Sequence, residues 1–276
     1  VPRQDGDRRQ LVDPAHAVDT NIAATVPPMV TPSLIKHRVG LLIPSSNTNI
    51  EPEYYSVMPA SVSTHFARVA MTTVNEQGLS GQDQDVDRQS KLLAAAQVDV
   101  ILFCLTAASF VLGLDYDSAL KQRIENVSGK PALTAAQTVV DALNALGVRR
   151  IAMATPFAPE VNEVSRAFMN ANGFDVVSVE GLGLVDNFSM ALTEYETVRA
   201  LVRRADHRDA EAIVIPGGNM PCMLIVDELE REVKKPVVTT NQAGIWALLC
   251  YLGRYQRLDG RGRLLEKILP RQIQNR

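Results

Sequence analysis

From Arg38 onward, short apolar runs alternate with amphipathic stretches, a rhythm that predicts parallel strand–helix units. Val39-Gly40-Leu41-Leu42-Ile43 predicts a buried strand ended by Pro44, and Thr64 to Val69 and Val98 to Phe103 predict two more. Between the last two, Asp85 to Gln97 has helical spacing, with Val86, Leu92, Leu93 and Ala96 on one side. The second half repeats the grammar. A helix over Thr134 to Leu146 is stopped by Gly147, followed by a strand over Arg150 to Ala154, a helix over Pro159 to Asn172 and a strand over Phe174 to Val179. Helices over Met190 to Ala205 and Ile225 to Val233 flank a strand at Ala212 to Ile215, and the short strand Val237-Val238 leads into a helix over Asn241 to Leu252.

Two halves of one rhythm predict an α/β fold of two pseudo-symmetric Rossmann-like (flavodoxin-like) lobes, each with a parallel sheet, and an inter-lobe cleft. The expected division is a flexible arm over 1–36, a first lobe over 37–130 plus 241–276, and a second over 131–240. In open sheets, ligands bind beyond the carboxyl ends of strands. Pro44 to Thr48, Cys104 to Ser109 and Pro216 to Asn219 each follow a buried strand directly, and so belong at the cleft mouth.

Composition narrows the partners. With 46% hydrophobic and 21% charged residues, the 276-residue chain reads as globular, and its net charge of −3 gives no basic excess for nucleic acid. No apolar run approaches the roughly 20 residues that a membrane-spanning helix needs. Cys104, Cys222 and Cys250 are too few for a disulfide framework and read as the reduced thiols of a cytoplasmic protein. A small soluble ligand is the expected partner, along with a second copy of the chain in a homo-oligomer.

The mouth loops carry suitable chemistry. Pro44-Ser45-Ser46-Asn47-Thr48 offers hydroxyls, an amide and backbone donors ahead of a helix, which suits an anion and equally suits a helix cap. Leu105-Thr106-Ala107-Ala108-Ser109 reads as a small anion-binding turn. Pro216-Gly217-Gly218-Asn219 lets a ligand approach the backbone, although a plain tight turn fits those residues too. No phosphate-loop or dinucleotide fingerprint is present, and His16, His37, His65 and His207 lack metal-ligand spacing, so neither a metal nor a cofactor is expected.

Gly40-Leu-Leu-Ile-Pro-Ser-Ser-Asn-Thr48 opens a series of segments similar to the maleate isomerase and arylmalonate decarboxylase branch of the aspartate/glutamate racemase superfamily. It runs on through His65-Phe-Ala-Arg68, Ser109-Phe110 with Gly113, and Asp115-Tyr-Asp117. It continues through Ala154-Thr-Pro-Phe157, Val161-Asn-Glu163, Asp186-Asn-Phe188, Gly217-Gly-Asn219, Thr239-Thr-Asn-Gln-Ala243 and Gly260-Arg-Gly-Arg-Leu-Leu265. The resemblance implies cofactor-independent chemistry on small carboxylates. Racemases and maleate isomerases of this kind use two cysteines, one per half, and arylmalonate decarboxylases keep only the second.

On that register the first cysteine position falls on Leu105, the second on Gly217, and the usual tyrosine on Phe157. Asn47 and Asn187 match carboxylate ligands of the family. Ser46, Asn47, Thr106, Phe157, Asn187, Gly217 and Gly218 are therefore the expected substrate-binding set, with no assigned catalytic residue. Cys104 is expected to face the first lobe's core, whereas Cys222, at a helix start, is a weak candidate proton donor. His65 and Tyr116 read as structural. The expected function is a lyase forming an enolate by carbon–carbon cleavage, such as decarboxylation, or an isomerase or racemase. The alternative is a carboxylate-binding protein without catalysis.

Overall fold

A strand covered on both faces needs no polar alternation, and the central strands lack it. Six consecutive residues of β1 (His37–Pro44) are buried, as is every residue of β3 (Val100–Phe103) and β7 (Ala212–Ile215). The computed structural model describes residues 34–79, 83–254 and 256–266. The expected flexible arm thus lies outside the described residues except for its last three.

The first sheet is parallel, in the order β2-β1-β3-β4, with β2 at Val62–Val69 and β4 at Ala132–Thr134. The second is parallel in the equivalent order β6-β5-β7-β8, with β5 at Arg150–Phe157, β6 at Asp175–Leu184 and β8 at Val237–Thr239. In each sheet the winding reverses between its two central strands, β1 and β3 or β5 and β7. The carboxyl ends of those strands leave a crevice for a ligand.

Helices cover both faces: α1 (Ile50–Val57), α2 (Glu76–Leu79), α3 (Asp83–Ala95), α4 (Thr106–Ser128), α5 (Ala135–Leu146) and α6 (Pro159–Ala171). The remainder are α7 (Asn187–Ala191), α8 (Tyr195–Ala205), α9 (Val226–Val233), α10 (Thr240–Tyr251) and α11 (Arg263–Glu266). Residues Thr240 to Leu249 of α10 are all buried, because that helix is wedged against α5, α1 and β3. Among the described residues no helix is long and apolar enough to cross a membrane.

Three expectations are corrected. The lobe boundary at 131 falls too early, since β4 hydrogen-bonds to β3 and completes the first sheet. The single helix over Met190 to Ala205 is two, α7 and α8, because Glu194 takes extended backbone ahead of α8. The turn expected at Leu105 to Ser109 is the first turn of α4, a 23-residue helix that continues past a kink at Gly113, whose φ is +89°.

Candidate functional site

The segments that leave the carboxyl ends of β1, β2, β3, β5, β6 and β7 converge on one cavity of about 30 Å³. Pro44 closes β1 and Asn47 follows it; after β3 come Cys104, Leu105, Thr106 and Ala107; after β7, Gly217, Gly218 and Asn219. Phe157 closes β5, while Met71 and Val74 follow β2 and Asn187 and Met190 follow β6. No charged side chain is among these residues. The wall is apolar, interrupted by carboxamides, the Thr106 hydroxyl and backbone N–H groups.

Asn47 caps α1 from two residues outside it, its Oδ1 accepting from the N–H groups of Asn49 at 3.0 Å and Ile50 at 2.9 Å. That occupies the oxygen, and Nδ2 has no hydrogen-bond partner among the described residues. Arg68 holds the loop from outside, donating to the carbonyls of Ser45 at 3.1 Å and Asn47 at 2.8 Å. Asn187 opens α7, and its Nδ2 donates to Ser46 Oγ at 2.8 Å. The Ser46 hydroxyl donates in turn to the Met71 carbonyl at 2.6 Å. Ser46, expected in the wall, instead stands behind Asn187 and orients it.

The two positions matched to cysteine, Leu105 and Gly217, both line the cavity. Leu105 sits just before α4, whose first N–H groups, at Thr106 and Ala107, have no acceptor among the described residues, as helix starts dictate. Gly217 has φ +129°, and a Cβ there would lie 2.8 Å from the Pro156 ring. The two loops are joined through one hydroxyl. Thr240 Oγ1 accepts from the Gly217 N–H at 3.1 Å and lies 3.1 Å from Thr106 Oγ1.

None of the three thiols is poised to react. Cys104 borders the cavity, yet its Sγ donates to the Leu102 carbonyl at 3.5 Å, and burial pushes its pKa up. Cys222, the weak candidate, does not line the cavity; it is buried in the apolar cluster between β7 and α9, with its pKa raised by desolvation and then by Glu53. Cys250 is pushed up to about 12, mainly by burial. His65 pairs with Ser63 at 3.0 Å on the edge strand β2, and neither it nor Tyr116 reaches the cavity. Among the described residues no group of three His, Cys, Asp or Glu side chains could hold a metal.

Sequence reasoning missed Asn219, which stitches the halves together. Its Oδ1 accepts from Thr48 N–H at 3.0 Å and Asn49 N–H at 3.2 Å, and its Nδ2 donates to the Asn187 carbonyl at 2.7 Å. The signal was present in Gly217-Gly-Asn219, but nothing local says which half that amide will face.

A family model described as arylmalonate decarboxylase matches residues 39–265. A maleate isomerase of Nocardia farcinica (strain IFM 10152) is 31% identical over 241 residues, spanning 83% of this chain and 96% of that protein. The arylmalonate decarboxylase of Bordetella bronchiseptica is 28% identical over 202 residues, spanning 72% and 84%. A solved Nocardia farcinica maleate cis-trans isomerase, a cysteine-to-serine mutant with a covalently bound succinylcysteine intermediate, superposes with a TM-score of 0.80 at 29% identity, covering 84% of this chain and 98% of that one.

Proposed function

The chain belongs to the arylmalonate decarboxylase family, and from that membership we propose that it is a cofactor-independent lyase, acting on a small dicarboxylate by decarboxylation without either of the usual cysteines. The observation that carries this reading is the cavity wall. Two carboxamides from opposite halves, Asn47 and Asn187, stand with the Gly217-Gly218 turn and the N–H groups of Thr106 and Ala107, which have no acceptor among the described residues, beside apolar Met71, Val74, Leu105 and Met190.

Such a wall binds one carboxylate with neutral donors and leaves a second against apolar groups, where a charge is poorly solvated. Loss of that second group as carbon dioxide breaks one carbon–carbon bond. The electron pair moves into the retained carboxylate as an enediolate. Donors fixed around its oxygens stabilise it, each typically worth about 10²–10³ in rate. Water returns the proton to carbon, since no acidic side chain lines the cavity apart from the Cys104 thiol, which burial keeps protonated. The hydroxide left behind combines with the released carbon dioxide as bicarbonate. The same lack of an acid favours a second reading, a carboxylate-binding protein without turnover.

Incubation of the pure protein with phenylmalonate and with maleate separates the two. We expect carbon dioxide release from the malonate, and at least ~10-fold weaker binding or slower turnover in Asn187→Ala, because a hydrogen bond to a charged group contributes about 1.5–3 kcal/mol. Ligand binding without product supports the second reading. Affinity and rate unchanged by Asn187→Ala would remove the carboxylate site.

A further inference from the structure

Behind the cavity lies a buried carboxylate that the proposed chemistry does not use. Glu53, on α1 in the first half, is only 3% exposed and forms no ion pair among the described residues. Burial raises its pKa, while every partner it has is a donor. Oε1 accepts from the N–H groups of Cys222 at 3.3 Å and Met223 at 3.2 Å, and Oε2 accepts from Asn241 Nδ2 at 2.6 Å. The same Asn241 nitrogen donates its other hydrogen to the Gly218 carbonyl at 2.9 Å.

One carboxylate of the first half therefore fixes, through one carboxamide, a peptide unit on the cavity wall. The Gly218 carbonyl and the Asn219 N–H belong to the same trans peptide plane, so holding the first sets the direction of the second. The packing leaves no slack. A Cβ on Gly218 would stand 2.7 Å from Asn241 Oδ1 and 3.1 Å from Ile50 Cδ1. Asn241 cannot turn its amide over, because its oxygen would then face the Gly218 carbonyl.

We propose that Glu53 is a positioning residue of this site, holding the Gly217-Gly218-Asn219 turn through Asn241 so that the Gly218 and Asn219 N–H groups keep the orientation a bound carboxylate requires. The purpose assigned to the turn rests on the carboxylate-site reading above. The linkage itself does not. A purely architectural Glu53 would tie α1 to the turn at Cys222 and Met223 and leave Gly218 indifferent to Asn241.

The test uses the full chain with Glu53→Gln, Asn241→Ala and the double variant. Gln keeps the shape but turns an NH₂ toward donors, and Asn241→Ala leaves both backbone bonds of Glu53 in place. The readouts are the backbone amide resonances of Gly217, Gly218 and Asn219, the melting temperature, and kcat and KM on phenylmalonate or maleate. We expect each single variant to move the Gly218 and Asn219 resonances. We also expect kcat to fall at least ~10-fold, a part of the ~10²–10³ that losing a whole oxyanion donor costs, with KM changed less than about three-fold. The double variant should be no worse than the poorer single one, because both cut the same linkage.

Resonances unmoved by Asn241→Ala, additive losses, or a kcat that falls only with the folded fraction would each overturn the proposal. Should Glu53→Gln fail to fold, Asn241→Ala decides alone. If the unaltered protein consumes neither compound, the functional reading falls, and the amide resonances still judge the linkage.

Discussion

The loops after β3 and β7 occupy equivalent places in the two sheets and are built on opposite plans. After β3 the chain enters α4 at once, so Leu105 lines the cavity with a side chain while the helix supplies N–H groups that have no acceptor among the described residues. After β7 it makes an irregular turn in which Gly217 adds no side chain, and the backbone is held by Thr240, Asn241 and, through Asn241, Glu53. One half offers donors that a helix start leaves over; the other has to build its donors from a turn and brace them. Each half also keeps one thiol set back from its loop, Cys104 and Cys222, both buried.

The contrast says that a cysteine can be introduced on one side far more readily than on the other. Gly217→Cys carries the largest expected effect. An L residue at φ +129°, with its Cβ against Pro156, should lose ~1–3 kcal/mol, seen as a melting temperature lower by several degrees. A variant as stable as the parent would mean that the turn relaxes freely and that the contrast is false. Leu105→Cys should fold and place a thiol at the start of α4, where a helix N-terminus favours the thiolate. Iodoacetamide at pH 8 should label it at least ~10-fold faster than any native cysteine. Equal labelling of the parent would show that the native thiols are not held protonated.

The smallest effect is on pH dependence. Cys104, Cys222 and Cys250 all have pKa values raised from 9.0, so above that pH the unfolded chain releases protons that the folded chain retains. Unfolding is therefore favoured as pH rises, and stability should fall by about 1 kcal/mol in total from pH 8 to 9. Denaturant titrations at the two values measure it. A triple Cys→Ala variant should flatten the slope even if its overall stability drops.

The strands were legible because burial on both faces leaves continuous apolar runs, as in β1, β3 and β7. From them followed the mouth of the cleft and the arrival there of Asn47, Thr106, Gly217 and Gly218, whereas Phe157 and Asn187, which line the same cavity, were singled out by the family resemblance alone. Helix α4 was not legible, because its first turn is made of small residues and Gly113 interrupts the period. Ser46 was misplaced in the wall, since sequence order alone does not say which of two neighbouring polar residues faces inward. Glu53, Asn219 and Asn241 escaped for a different reason. Their partners lie 23 to 188 residues away, and apart from Glu53 with Asn241, which both sit in the first lobe, those contacts exist only once the two halves have docked.

That docking has a kinetic consequence. A space of about 30 Å³ admits roughly one water molecule, and Asn219, one of its lining residues, straps the two rims together. Any organic acid must wait for the strap to part and for the flexible chains of Met71 and Met190 to yield. Association should then be slow, below the ~10⁵ M⁻¹s⁻¹ ordinary for docking to an open surface, and its observed rate should level off at high ligand concentration. The plateau is the opening rate of the protein itself, the same for every acid that enters. With no charge in the wall to steer the approach, adding salt should leave the initial slope nearly unchanged.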